Sequence, residues 1–179
     1  MLIRIAPDMF CDERYECVTI QEMIQEIFRT QKFKTRYPWR TKYKSKIKAL
    51  EKSKVESADF KLYLEAIQNI IVTSKINERT KSFFSLSYVD QKIAACSIAH
   101  GFKLTTVDDD LNDFVTQEFA GETISPLEIV NDWIIKGLTK WNDDHQSIIE
   151  DWDKCNEHPQ PEKEVKRFEK LTGFKYCGP

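Results

Sequence analysis

Residues 85–111, SLSYVDQKIAACSIAHGFKLTTVDDDL, decide how the rest of the chain is read. Within them Ile93, Ala94, Ile98 and Ala99 recur at helical spacing, and His100 followed by Gly101 gives a stop where such a helix would end. Residues 102–107 then run apolar and β-branched side chains together until three aspartates end them, the pattern of a short buried strand. A helix over 90–100 is roughly 15 Å long, and a strand running back toward Asp108 covers about the same length, so the chain returns to where it began. Asp90 and Asp108 are therefore expected at one edge of a sheet, where α/β proteins build their sites. Two carboxylates held together repel unless one is protonated or a cation lies between them, which predicts a metal. Each aspartate also has an ordinary reading, one as a first-turn acid favoured by the helix dipole and the other as part of a solvated acidic loop.

Outward from this block, LIRIA over residues 2–6 reads as a first core strand that ends in Pro7 and Asp8. A turn bearing Asp12 and Glu13 leads to a second short strand over 17–20. A helix opened by Glu22 follows, with Met23, Ile24, Ile27 and Phe28 on one face. Asp8 leaves a strand and Glu22 starts a helix after one, as Asp108 and Asp90 do, so four acids point to one edge.

These residues resemble the PIN-domain nucleases. The resemblance is carried by the strand leading to Asp8, the VTIQE step with Glu22, the LSYVDQKIAA segment with Asp90 and the GFKLTTVDDDL segment with Asp108; it covers roughly residues 1–135 and is most specific over 86–111. It implies a three-layer α/β/α domain with a mainly parallel central sheet that holds Mg²⁺ or Mn²⁺ on clustered carboxylates and cleaves RNA. Many such proteins are toxins of toxin–antitoxin pairs, which implies an antitoxin protein as a partner. Carried over by residue, the metal ligands and catalytic acids are Asp8, Glu22, Asp90 and Asp108, with Asp110 as an accessory ligand. Thr106 matches a hydroxyl residue that supports the site, and it also reads simply as a β-branched strand residue. The chain departs from the family in placing Met9 and Phe10 after Asp8 and in the short interval between Asp8 and Glu22. Glu26, one turn beyond Glu22, is the alternative ligand.

The chemistry agrees with the residue types. Hard carboxylate oxygens suit Mg²⁺ or Mn²⁺, and such ions activate water for in-line displacement without a protein nucleophile. The sequence contains no Ser-His-Asp or Cys-His pattern, P-loop or G-x-G-x-x-G stretch.

Residues 29–54 carry eleven Lys or Arg and one acid, Glu51, with Phe33, Tyr37, Trp39 and Tyr43 interleaved. Cations neutralise phosphates and rings stack on unpaired bases, so this basic insert is expected to bind RNA through Lys34, Arg36, Trp39, Arg40, Lys42, Lys44 and Lys46. The same run also reads as an exposed lysine-rich helix over 42–54 that serves only solubility.

Residues 57–76 have a helical apolar face of Phe60, Leu64, Ile67, Ile70 and Ile71, expected in the core. Ser125, Pro126 and Glu128 mark a strong helix start after an edge strand over 122–125. Ile134, Leu138, Trp141, His145, Ile148 and Trp152 then form a stripe that Gly137 interrupts. That stripe reads either as packing on its own domain or as a dimer or antitoxin surface. The expected organisation is a nuclease domain over 1–136 and a helical extension with a polar tail over 137–179.

The whole chain of 179 residues suits one α/β domain with extensions, and its formal charge of −2 and pI near 6.0 make any basic surface local. No apolar run is long enough to span a bilayer and the start lacks a basic-then-apolar leader, so no membrane contact and a cytoplasmic location are expected. Five cysteines without regular spacing read as reduced thiols. Cys155 and His158 have zinc-like spacing, but no second pair completes four ligands.

Overall fold

The computed structural model describes every residue except 11–14, 16 and 156–158, and the side chain of Lys32. The expected turn at Asp12 and Glu13 and the pairing of Cys155 with His158 therefore lie outside the described residues. In chain order the elements are α1 (Leu2–Ile5), a 3-10 helix (Pro7–Phe10), β1 (Val18–Thr19), α2 (Gln21–Arg29) and α3 (Gln31–Arg36). A second 3-10 helix (Pro38–Lys46), β2 (Lys48–Ala49), α4 (Lys52–Val55), α5 (Ala58–Val72) and α6 (Tyr88–His100) follow. The chain closes with α7 (Asp109–Phe119), α8 (Pro126–Ile135), α9 (Asp143–Asp153) and α10 (Glu162–Thr172).

The three-layer α/β/α sandwich is not what forms. The described residues are 62% helix and 5% strand, and the sheet is one parallel pair, β1 with β2. The expected strands fail for different reasons. Residues 2–5 form the single turn of α1 with Ile3 and Ile5 buried, because a run of four apolar residues around Arg4 fits a buried helical turn as well as a buried strand. Residues 17–20 retain only β1. Residues 102–107 make one parallel bridge, Leu104 to Thr123, with the Leu104 amide donating to the Glu122 carbonyl at 2.9 Å and the Ile124 amide to the Leu104 carbonyl at 2.8 Å. A central parallel strand needs a partner on each side, and Leu104 has this one. The lysine-rich helix expected over 42–54 is replaced by the 3-10 helix, β2 and α4.

The contacts divide the chain into two compact units built from interleaved segments. One comprises residues 1–17, 30–48 and 125–179; the other comprises 18–29 and 49–124. For convenience these are the outer-segment unit and the central unit.

The central unit is organised by α5 packed on α6. Ala94, Ala95, Cys96 and Ser97 of α6 are all buried, so a whole turn of that helix is enclosed, and the small side chains leave room for Phe60 and Ile67 of α5. Phe84 meets Phe114 of α7 edge-to-face, with ring centres 5.0 Å apart. The helix ends follow local chemistry. Ser87 and Asp90 form a reciprocal capping box on α6. Gly101 ends it at φ +63°, with its amide bonded to the Ile98 carbonyl and that of Phe102 to the Ser97 carbonyl, the Schellman arrangement. Asp108 caps α7 by accepting from the Leu111 amide.

In the outer-segment unit α8 packs on α10. Leu127, Val130, Trp133, Ile149 and Phe168 are fully buried. Gly137 at φ +67° ends the run that begins at α8, and the stripe continues on α9 after Asn142 caps it. Trp141 stands edge-on to Phe168 at 4.7 Å and Trp152 is buried, so both tryptophans pack within their own unit. The last residues dock on the same body: Gln146 donates to the Lys175 carbonyl at 2.8 Å and the Gln160 amide to the Pro179 carbonyl at 3.0 Å. No helix among the described residues is long and apolar enough to cross a membrane.

Candidate functional site

Of the acids singled out in the sequence, Glu22, Asp90, Asp108 and Asp110 belong to the central unit and Asp8 to the other. Within the central unit each is fixed at the start of a helix, Glu22 on α2, Asp90 on α6, and Asp108 and Asp110 on α7. The Ser85 amide, just before α6, donates to Asp110 Oδ2 at 2.6 Å, which draws the start of α7 to the start of α6. Asp90 lies in that first turn of α6, where its Oδ2 accepts from the Ser87 hydroxyl at 2.6 Å and from the Ser87 amide at 3.2 Å. Glu22, in the first turn of α2, is ion-paired with Lys92 of α6, two residues beyond Asp90. That hydrogen bond holds the Glu22 carboxyl below the usual carboxylate range, although its burial acts the other way. Asp108 is the exposed α7 cap, with Oδ1 accepting from the Leu111 amide at 3.0 Å, and the Thr106 hydroxyl supports it by accepting from the Asp108 amide at 3.0 Å. Glu26 lies further along α2.

Three residues that the sequence reading passed over hold this edge together. Asn77, completely buried, donates through Nδ2 to Asp110 Oδ1 at 3.1 Å and to Asp113 Oδ2 at 2.8 Å. Its Oδ1 accepts from the Arg79 amide at 2.9 Å and the Thr80 amide at 3.3 Å, so the side chain uses both donors and both lone pairs. Arg79 bonds Asp113 at 2.7 Å through Nε and reaches Asp109 at 3.4 Å. Lys92, with its side chain 15% exposed, supplies the cation beside Glu22.

The donors have the right chemistry for Mg²⁺ or Mn²⁺, since all are hard oxygens. Their spacing is different: among the described residues no three His, Cys, Asp or Glu side chains come close enough to hold a metal ion. The carboxylates are held individually by caps, an amide and a lysine, and this arrangement does not fit a completed metal shell. Asp8 sits on the 3-10 helix Pro7–Phe10 and pairs with Lys46 at 2.9 Å, both in the outer-segment unit.

The basic aromatic segment lies mostly in the outer-segment unit. Its rings touch in succession: Phe33 stacks on Tyr37 at 5.8 Å, Tyr37 meets Trp39 at 5.7 Å, and Trp39 meets Tyr43 edge-on at 5.9 Å. Lys34, Lys42 and Lys44 are exposed and Arg36 is half-buried. Arg40 and Lys46 have structural partners: Arg40 is buried and donates to the Tyr37 carbonyl at 3.2 Å, and Lys46 pairs with Asp8.

Beside this ladder, within the same unit, is a cavity of about 750 Å³ walled by Thr35, Arg36, Tyr37, Trp39 and Trp152. Arg4, Asp151 and Lys154 complete its charged lining. Arg4 donates to Asp151 at 3.0 Å and lies over the Trp39 ring at 5.2 Å from its centre, while Lys154 bonds the other carboxylate oxygen of Asp151 at 3.1 Å. The hydrogen bond from Arg4, and then that from Lys154, hold the Asp151 carboxyl below its ordinary range. Arg4 and Asp151 are 147 positions apart, so no local pattern announced their pairing.

The cysteine thiols follow burial. Those of Cys17 and Cys96 are pushed up to about 11 by desolvation, which keeps them protonated and unreactive near neutrality. Comparison of the chain with protein-family models, with curated proteins and with solved structures gave no match in any of the three.

Proposed function

We propose that the protein is an endoribonuclease dependent on Mg²⁺ or Mn²⁺, with the acidic edge of its central unit as the reacting centre and the basic aromatic segment as the RNA-holding surface. The observation that supports this reading is the bond from the Ser85 amide to Asp110, which joins the acid-bearing first turn of α7 to the start of α6, where Asp90 lies. The chain's own contribution is to fix the carboxylates in advance: Ser87 orients Asp90, Asn77 and the Ser85 amide orient Asp110, and Thr106 orients the backbone at Asp108. Lys92 is ion-paired with Glu22.

A second reading, an RNA-binding module that does not cut, is favoured by one specific fact. Each of these acids already has a protein partner, Lys92 for Glu22, Ser87 for Asp90, the Leu111 amide for Asp108 and Asn77 for Asp110.

The deciding experiment incubates the purified protein and an Asp90→Asn variant with mixed structured RNAs in Mg²⁺ or Mn²⁺, against EDTA. Cutting that disappears with EDTA and in the variant is the expected result. Retained RNA binding without cutting, and without a metal-induced rise in melting temperature, would establish the second reading instead. Equal digestion of DNA would change the substrate class, because this chemistry does not itself require a 2′-hydroxyl.

A further inference from the structure

The geometry points to the cavity of the outer-segment unit as a binding site for a single unpaired nucleotide, its base stacked among the indole and phenol rings and its phosphate held by the cations. This deepens the proposed function, since it rests on RNA being the ligand, and it concerns residues outside the acidic edge. The volume of about 750 Å³ falls within the roughly 300–1,000 Å³ that small-ligand sites occupy. Its lining has two halves. Tyr37, Trp39 and Trp152 provide flat apolar faces, and Arg4, Arg36 and Lys154 provide three positive charges against the single carboxylate of Asp151.

A ligand that matches both halves carries an aromatic ring and an anion close together, which is the constitution of a nucleotide. An acidic peptide would satisfy the cations and leave the rings uncovered, and a phosphate headgroup would do the same. The location supports the same occupant. The wall formed by residues 35–39 is the centre of the basic aromatic run, so a nucleotide seated here continues into a strand that lies along Phe33, Tyr37, Trp39 and Tyr43. Asp151 has a defined part in this arrangement. Its carboxylate anchors Arg4 and Lys154 together, so the two cations are positioned before the ligand arrives.

The test measures binding of adenosine 5′-monophosphate by quenching of tryptophan emission, and of a fluorescein-labelled single-stranded oligo(A) RNA by anisotropy. Four forms of the full chain are compared: wild type, Trp39→Leu, Trp39→Phe and Lys154→Glu, with far-UV circular dichroism to verify folding. The monophosphate is expected to bind wild type and to compete with the oligonucleotide. Trp39→Leu and Lys154→Glu should each weaken both ligands by about tenfold or more, and Trp39→Phe should restore most of the loss because a ring remains to stack. Oligonucleotide binding that the monophosphate does not compete for, and that these variants leave unchanged, would overturn the nucleotide site and leave the RNA reading standing. Absence of binding by both ligands would overturn the two together.

Discussion

Asn77 joins two acids of α7 through one amide. Its Nδ2 serves Asp110 and Asp113 while its Oδ1 holds the turn that carries Arg79, all without access to solvent. Asn77→Ala removes both donors and leaves the carboxylates facing each other, so unfolding in urea should show a loss of about 2–3 kcal/mol, in the range for hydrogen bonds to charged groups. A change within experimental error would mean that Arg79 alone suffices to hold the two aspartates. In the sequence Asn77 is one polar residue in a short polar turn. Its importance depends on Asp110 and Asp113, 33 and 36 positions later, and no local pattern carries that information. The arithmetic of a helix followed by a returning strand puts Asp90 beside Asp108, but that strand is a single bridge at Leu104 and each aspartate instead caps its own helix. The metal that this arithmetic suggested depends on a further quantity, the distance between carboxylates once their caps are satisfied.

At the scale of elements, starts and stops could be read and strand pairing could not. Gly101, and Ser125 with Pro126 and Glu128, act through bonds within a few residues and perform the expected task, and Ser87 with Asp90 caps α6 in the same local way. The strands expected at 2–6 and 102–107 depended on partners elsewhere, and an apolar run contains no statement about whether a partner exists. The same limit applies to Gly121, which follows α7 and looks like an ordinary helix stop. A Cβ there would lie 2.5 Å from Val115 Cγ1 and 3.3 Å from the Val115 carbonyl oxygen, so the glycine permits the turn from α7 toward Thr123. Gly121→Ala should lower stability by about 1–3 kcal/mol, the usual cost of an added methyl where packing is already close. Thermal melts would show it, and an unchanged melting temperature would mean that the Val115 side chain rotates aside without penalty.

For the whole molecule, an overall charge of −2 conceals a division of labour in which cations cluster on the segment over 29–54 and acids on the starts of α6 and α7. Composition made that separation legible, while assignment of these segments to two interleaved units required the fold. The separation also sets how RNA affinity should respond to salt. Replacing the exposed Lys34, Lys42 and Lys44 by Glu removes up to three phosphate contacts, which should flatten the log–log salt dependence of RNA binding by about 2, given roughly 0.7 per contact on a single strand. An unchanged slope in anisotropy titrations would assign the exposed lysines to solubility.

Lys92 has a consequence for any ion that approaches the acidic edge. Its ammonium is covalently part of α6 and stands beside Glu22, so it cannot be diluted or dialysed away. A tethered group acts at a high effective concentration against a free one. Under the proposed function a divalent ion would compete with this resident occupant for the carboxylate, and half-saturation would move to higher ion concentration than the carboxylates alone would set. Lys92 would then act as the chain's own antagonist of metal uptake.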